Sequence, residues 1–136
     1  VAQGCVAAPV TGAKTQNLSG KPLYRAPKWL LTGGAAYDFA VTSGLRLTVN
    51  GDLRYSSWYY TGLNLNPLSY QGGFTTINSG IRLSPDSERW SVAVIGRNLS
   101  NRRYGTLGVD KPGGLGEVYT VAGEPRVVLL QGEARF

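Results

Sequence analysis

The sequence has no histidine, no methionine and a single cysteine, Cys5, in 136 residues. Without histidine there is no imidazole general base, no triad built on one and no His-ligated zinc site. Without a second cysteine no disulfide closes within the chain. Charge is sparse as well: 16% of residues are charged, 14 Lys plus Arg against 8 Asp plus Glu, for a formal net charge of +6. A basic surplus recruits nucleic acid only where it clusters. Here the one adjacent basic pair is Arg102-Arg103, so no nucleic-acid partner is expected. The longest aliphatic runs, Val92 to Ile95 and Val127 to Leu130, hold four residues each, far below the roughly 18 that a membrane helix requires. The carboxylates Asp38, Asp52, Glu88, Glu117 and Glu133 are scattered along the chain. Their spacing makes neither a paired-carboxylate hydrolase nor a calcium loop. Gly113-Gly114-Leu115-Gly116 lacks the preceding strand and following helix of a nucleotide loop. We therefore expect no enzyme, no metal and no cofactor.

What is present points to strands and turns. Glycine occurs 19 times and tyrosine 8 times, and blocks of helix-forming residues are absent, so the expected class is all-β. Residues 1–28 are rich in Gly, Pro, Thr, Asn and Ser and read as loop. From Trp29 to Phe39 the odd positions are the more apolar, a period-two strand followed by a short turn over Ala40 to Gly44. Leu45 to Tyr55 alternates most cleanly, with Leu45, Leu47, Val49, Leu53 and Tyr55 opposed to Arg46, Thr48, Asn50, Asp52 and Arg54. A long aromatic loop over 56–72 leads to a third strand, Thr75 to Leu83. A compact turn, Pro85 to Glu88, leads to a fourth, Trp90 to Arg97. Asn101 to Pro125 reads as a second long loop, with a short strand at Glu117 to Val121, and Arg126 to Phe136 as the final strand.

An antiparallel up-and-down meander of about five strands, each about ten residues long, with short turns on one side and long loops on the other, is the pattern of an outer-membrane barrel. The geometry agrees: ten steps of about 3.3 Å at a tilt near 45° span roughly 23 Å, close to the ~25 Å apolar band. With the short turns on the periplasmic side, Tyr37, Phe39, Trp90 and Phe136 form one aromatic girdle and Trp29 and Tyr55 the other. Arg46, Asn50, Asp52, Arg54, Asn78, Arg82, Arg97, Gln131, Glu133 and Arg135 then face the lumen, as a ligand path or a mutually paired interior. The alternative is a soluble β-sandwich or small barrel that binds carbohydrate through the aromatic loop. Such folds ordinarily use shorter strands and do not favour long loops on one side.

Five strands do not close a membrane barrel, since the smallest single-chain ones use eight. The chain is therefore expected to be incomplete, or else a short product that closes by self-association. Val1-Ala2-Gln3-Gly4-Cys5 shows no leader and reads as a cut end. An odd cysteine in an oxidising compartment suggests a partner elsewhere in the protein.

Leu18-Ser19-Gly20-Lys21-Pro22-Leu23 with Ala26-Pro27-Lys28-Trp29, then Asn98-Leu99-Ser100-Asn101-Arg102-Arg103-Tyr104, then Gly123-Glu124-Pro125-Arg126 and Phe136 resemble, in that order, the C-terminal end of a TonB-dependent outer-membrane receptor. Gln3-Gly4-Cys5 is similar to the tail of a cysteine-bearing surface loop in that family. The resemblance implies a barrel of about 22 strands around a plug in the bacterial outer membrane, importing siderophores, cobalamin or oligosaccharides with energy relayed by TonB. Residues 1–28 would be an extracellular loop segment and 29–136 the C-terminal barrel strands. The implied partners are outer-membrane lipid, the remaining strands and plug, and the barrel-assembly machinery, which would read Phe136. TonB would act only through a part N-terminal to this one. Ala134 departs from the pattern, an aromatic being frequent there. The resemblance puts Asn98 to Tyr104 where a strand leaves the membrane, a structural role. In the aromatic loop, Trp58, Tyr59, Tyr60 and Tyr70 are candidates for stacking on a sugar or aromatic ligand, or equally for packing on one another.

Overall fold

The computed structural model describes residues 5–7, 14–112 and 117–136; Gln3-Gly4 and the glycine-rich stretch 113–116 lie outside the described residues. The strands in chain order are β1 (Cys5–Ala7), β2 (Lys14–Gln16), β3 (Leu30–Thr42), β4 (Leu45–Ser56), β5 (Tyr59–Tyr60), β6 (Tyr70–Gln71), β7 (Phe74–Pro85), β8 (Trp90–Arg97), β9 (Gly105–Asp110), β10 (Val118–Ala122) and β11 (Val127–Ala134). A single 3-10 turn, Pro67–Ser69, is the one helical element among the described residues. The protein is all-β, as its composition implies. Contacts divide it into a strand unit (Trp29–Ser56, Phe74–Arg103, Glu124–Phe136) and a loop unit (Val1–Lys28, Ser57–Gly73, Tyr104–Gly123). The two long loops thus group with the first 28 residues, where the sequence reading kept them with the strands.

The strand unit is one antiparallel sheet in the order β11-β8-β7-β4-β3, an up-and-down meander. Its register converts the sequence alternation into continuous rungs. Tyr37 lies opposite Val49, then Ile81, Val94 and Leu130, an apolar rung across all five strands. One residue along, Asp38, Thr48, Arg82, Ala93 and Gln131 form a rung on the other face. A slip of one residue on any strand would mix the two sets, so this register is strongly specified. The apolar face is exposed: Tyr37 is 66% and Leu130 77% accessible, and Leu31, Phe39, Leu53, Ile77, Ile81, Val92, Val94 and Val128 are exposed too. Phe74 and Ala93 are the only buried apolar side chains described in this unit. The sheet has no core of its own.

The two ends of the sheet differ. At one, the β3–β4 connection is Ser43-Gly44, with Gly44 at φ +99°, a left-handed conformation that glycine adopts without Cβ strain. The turn expected over Ala40 to Gly44 is shorter because a bulge between Ala40 and Thr42 keeps β3 paired to its end. Residues 86–89 make the other short connection. From the opposite end leave the three segments of the loop unit. There Asn98, only 4% accessible and at φ +45°, stops β8. Its Nδ2 donates to the carbonyls of Arg102 and Glu124, both at 2.9 Å, while its Oδ1 accepts from the Arg102 N–H at 3.0 Å and the Ser100 hydroxyl at 3.1 Å. Beyond the end of β8, β7 still finds partners: the Leu99 N–H donates to the Ile77 carbonyl at 2.7 Å and the Ser100 hydroxyl to that of Thr75 at 3.0 Å.

The loop unit is built on hydrogen bonds more than on apolar burial. Short antiparallel hairpins β1-β2, β5-β6 and β9-β10 are its regular parts. The segment around Thr61 lies at its centre. The Thr61 N–H donates to the Ser69 carbonyl at 2.8 Å, the Thr61 carbonyl accepts from the Gly108 N–H at 2.9 Å, and the Tyr60 carbonyl accepts from the Arg25 N–H at 2.7 Å. Ser57, Thr61, Asn66 and Ser69 are buried, and no buried side-chain nitrogen or oxygen among the described residues lacks a partner. Asn66 caps the 3-10 turn, its side chain accepting from the Leu68 N–H at 3.0 Å with Pro67 in the first position. Both Asn64 and Asn66 donate to the Asp110 carboxylate, tying the turn to β9.

Candidate ligand-binding site

The four loop aromatics separate into three and one. Trp58, Tyr60 and Tyr70 form a mutual cluster, with ring centroids 6.1 Å apart for Trp58 and Tyr60 and 5.8 Å for each of the other two pairs. Alternation along 58–60 turns Tyr59 the opposite way. It is buried, and its hydroxyl donates to the Gly105 carbonyl at 2.7 Å. Tyr59 therefore fastens β5 to β9, while Trp58 (44% accessible) and Tyr70 (53%) stay open to solvent.

Trp58 and Tyr60 also line a cleft of about 450 Å³ whose other walls are Gln16, Asn17, Leu18, Lys21, Pro22 and Leu65. Two hydrogen bonds bring these distant segments together: Gln16 Nε2 donates to the Asn64 carbonyl at 3.0 Å and the Arg25 N–H to that of Tyr60. A reverse turn aims the chain at Lys21, with the Lys21 N–H on the Leu18 carbonyl at 3.0 Å, the Ser19 N–H on Asn17 Oδ1 at 2.9 Å and Gly20 at φ +72°. The volume lies within the usual range of small-molecule sites. Sequence reasoning found the aromatic wall and missed the polar one. The only available signal was compositional: residues 1–28 carry Lys14, Lys21, Arg25 and Lys28 and no acid, and 57–73 carry no charge at all.

In the strand unit, Arg46, Asn50, Asp52, Arg54, Asn78, Arg82, Arg97, Gln131 and Glu133 share the polar face by register, and Arg135 follows β11 on the same side. Much of this face is mutually paired. Arg46 meets Asp86 at 3.7 Å, Arg97 meets Glu124 at 3.3 Å, and Arg135 meets Glu133 at 3.1 Å and Glu88 at 3.6 Å. Asn78 donates to Asp52 at 2.7 Å and Thr48 to Asp38 at 2.6 Å. Near the short turns some of these groups, Asp38, Arg46, Asp86, Glu88, Glu133 and Arg135 among them, line a polar hollow of about 410 Å³. Exposed pairs of this kind contribute about 0–1 kcal/mol each, so they arrange the face more than they stabilise it. Arg54 and Arg82 have no ion-pair partner among the described residues.

Of the girdle residues, Tyr37, Phe39 and Trp90 fall by register on the apolar face toward the short turns and Tyr55 toward the opposite end; Trp90 also lines the polar hollow, and Trp29 and Phe136 lie outside the paired strands. The Tyr37 and Phe39 rings are 4.6 Å apart. Among the described residues no group of three or more Cys, Asp or Glu side chains is placed to hold a metal. No helix is long and apolar enough to cross a membrane. Comparison with protein-family models, curated proteins and solved structures finds no match.

Proposed function

We propose that this chain is the C-terminal part of the barrel of a TonB-dependent receptor in the bacterial outer membrane, which takes up a siderophore, cobalamin or an oligosaccharide. The observation that carries the proposal is the uncovered apolar face, whose central rung runs Tyr37, Val49, Ile81, Val94 and Leu130. Soluble monomers rarely expose contiguous apolar patches beyond a few hundred Å², whereas in hydrocarbon the same face is at home. The opposite face suits a lumen and a plug, and the free edges of β3 and β11 suit the remaining strands, because every backbone group in lipid must be paired. Phe136 is the residue for the assembly machinery to read. TonB engages the part of the receptor N-terminal to this one.

The test is a spin-label scan of β11 in the full-length gene product, reconstituted in lipid in a Cys5→Ser background. With Val128→Cys, Leu129→Cys, Leu130→Cys and Gln131→Cys, oxygen accessibility should peak at 128 and 130 and fall at 129 and 131. A soluble, monomeric product with all four labels open to a water-borne relaxant would overturn the reading in favour of the sandwich.

A further inference from the structure

We propose that the cleft of the loop unit is a binding site for an acidic sugar, one hexuronate ring within a short glycan. The inference concerns the loop unit alone and goes beyond the transport reading. Its aromatic wall is Trp58 and Tyr60, and Tyr70 packs on both rings without lining the cleft. An aromatic face carries partial negative charge, and the flat C–H face of a pyranose presents weakly positive hydrogens to it. Asn17 also lines the cleft, and with its Oδ1 taken by the Ser19 N–H, its Nδ2 is the group that would donate to a sugar hydroxyl.

Lys21 is the only charged group lining the cleft among the described residues. The segments that line it hold no acid, and the Asp110 carboxylate in the same unit is taken by the side-chain amides of Asn64 and Asn66. A single ammonium on a flexible stem balances one carboxylate; a phosphate is ordinarily met by several donors or by a bidentate arginine. One negative charge, a ring of hydroxyls and an apolar ring face together describe a uronic acid. At about 450 Å³ the cleft accommodates a short glycan and not a long polymer.

Titration calorimetry on the full chain in detergent, with digalacturonate and its uncharged methyl ester as paired probes, decides the question. The free acid should bind about tenfold more tightly than the ester, the range of one charge-assisted hydrogen bond, and the preference should shrink with added salt. Lys21→Gln, an exposed change that folding should tolerate, should erase the preference, so that acid and ester bind alike. Trp58→Ala should weaken both probes at least tenfold, with Trp58→Tyr restoring most of the loss if the ring is what matters. Equal affinity for acid and ester, no heat at millimolar sugar, or a preference that survives Lys21→Gln would each overturn the proposal. Since the spin-label scan of β11 does not involve the loop unit, either result leaves the other intact.

Discussion

Asn98 ties three points of the chain with one amide, and at φ +45° it also occupies a backbone conformation that few side chains other than asparagine tolerate. Asn98→Ala leaves the Arg102 and Glu124 carbonyls and the Arg102 N–H without their partner. It should cost about 2–3 kcal/mol, read as a lowered urea midpoint. Asn98→Asp keeps the accepting oxygen but sets a negative charge against two carbonyls, so it should be no more stable than the alanine variant. In the loop unit a Cβ on Gly123 would collide with the Tyr104 ring. Gly123→Ala should therefore cost about 1–3 kcal/mol by overpacking, and Tyr104→Ala should relieve much of that cost, giving a non-additive double-mutant cycle. Neither role is written in sequence spacing. Asn98 was legible only as a strand exit, since its partner at 124 becomes a neighbour through the register alone. Tyr59 and Tyr60 look equivalent as letters and are separated by alternation, which a two-residue strand is too short to announce.

At the scale of the element, the five long strands were legible because their period-two pattern runs for many residues and pits Leu, Val and Tyr against Arg, Asn and Asp. The boundaries moved where the backbone, not the side chains, sets the limit: β3 runs on to Thr42 through a bulge, and β11 ends at Ala134. The hairpins β1-β2 and β5-β6 and the strand β9 lay hidden in segments read as loop, since strands of two or three residues are too short to show alternation and β9 has glycine at two of its six positions. The cleft was hidden because its walls, 16–22 and 58–65, are far apart in sequence. On β11 the two faces make opposite predictions. With the full-length protein in vesicles, Leu130→Lys should cost about 2–4 kcal/mol, the depth-dependent cost of a cation facing lipid. Gln131→Lys, on the polar face, should change stability by less than about 1 kcal/mol. A urea titration that gave both variants the same midpoint would remove the lipid-facing assignment.

For the molecule as a whole, a sheet with one open apolar face and two bare edges should not persist as a monomer in water. By itself, without detergent, this chain should form large species in light scattering and bind a hydrophobic dye; detergent should reverse both. The manner of that association is constrained by strand direction. In a meander of five strands the first and the last run the same way, so β3 and β11 point in parallel. Rolled up on itself, or joined head to tail with a second copy, the sheet would have to pair these two edges in parallel, the less stable arrangement. Like edges, β3 with β3 or β11 with β11, pair antiparallel, but only by turning one copy upside down, which would put long loops on both sides of a bilayer. Parity thus imposes what composition could not: an all-antiparallel cylinder with every long loop on one side requires an odd number of strands from a different stretch of polypeptide, the one added beside Phe136 running opposite to β11.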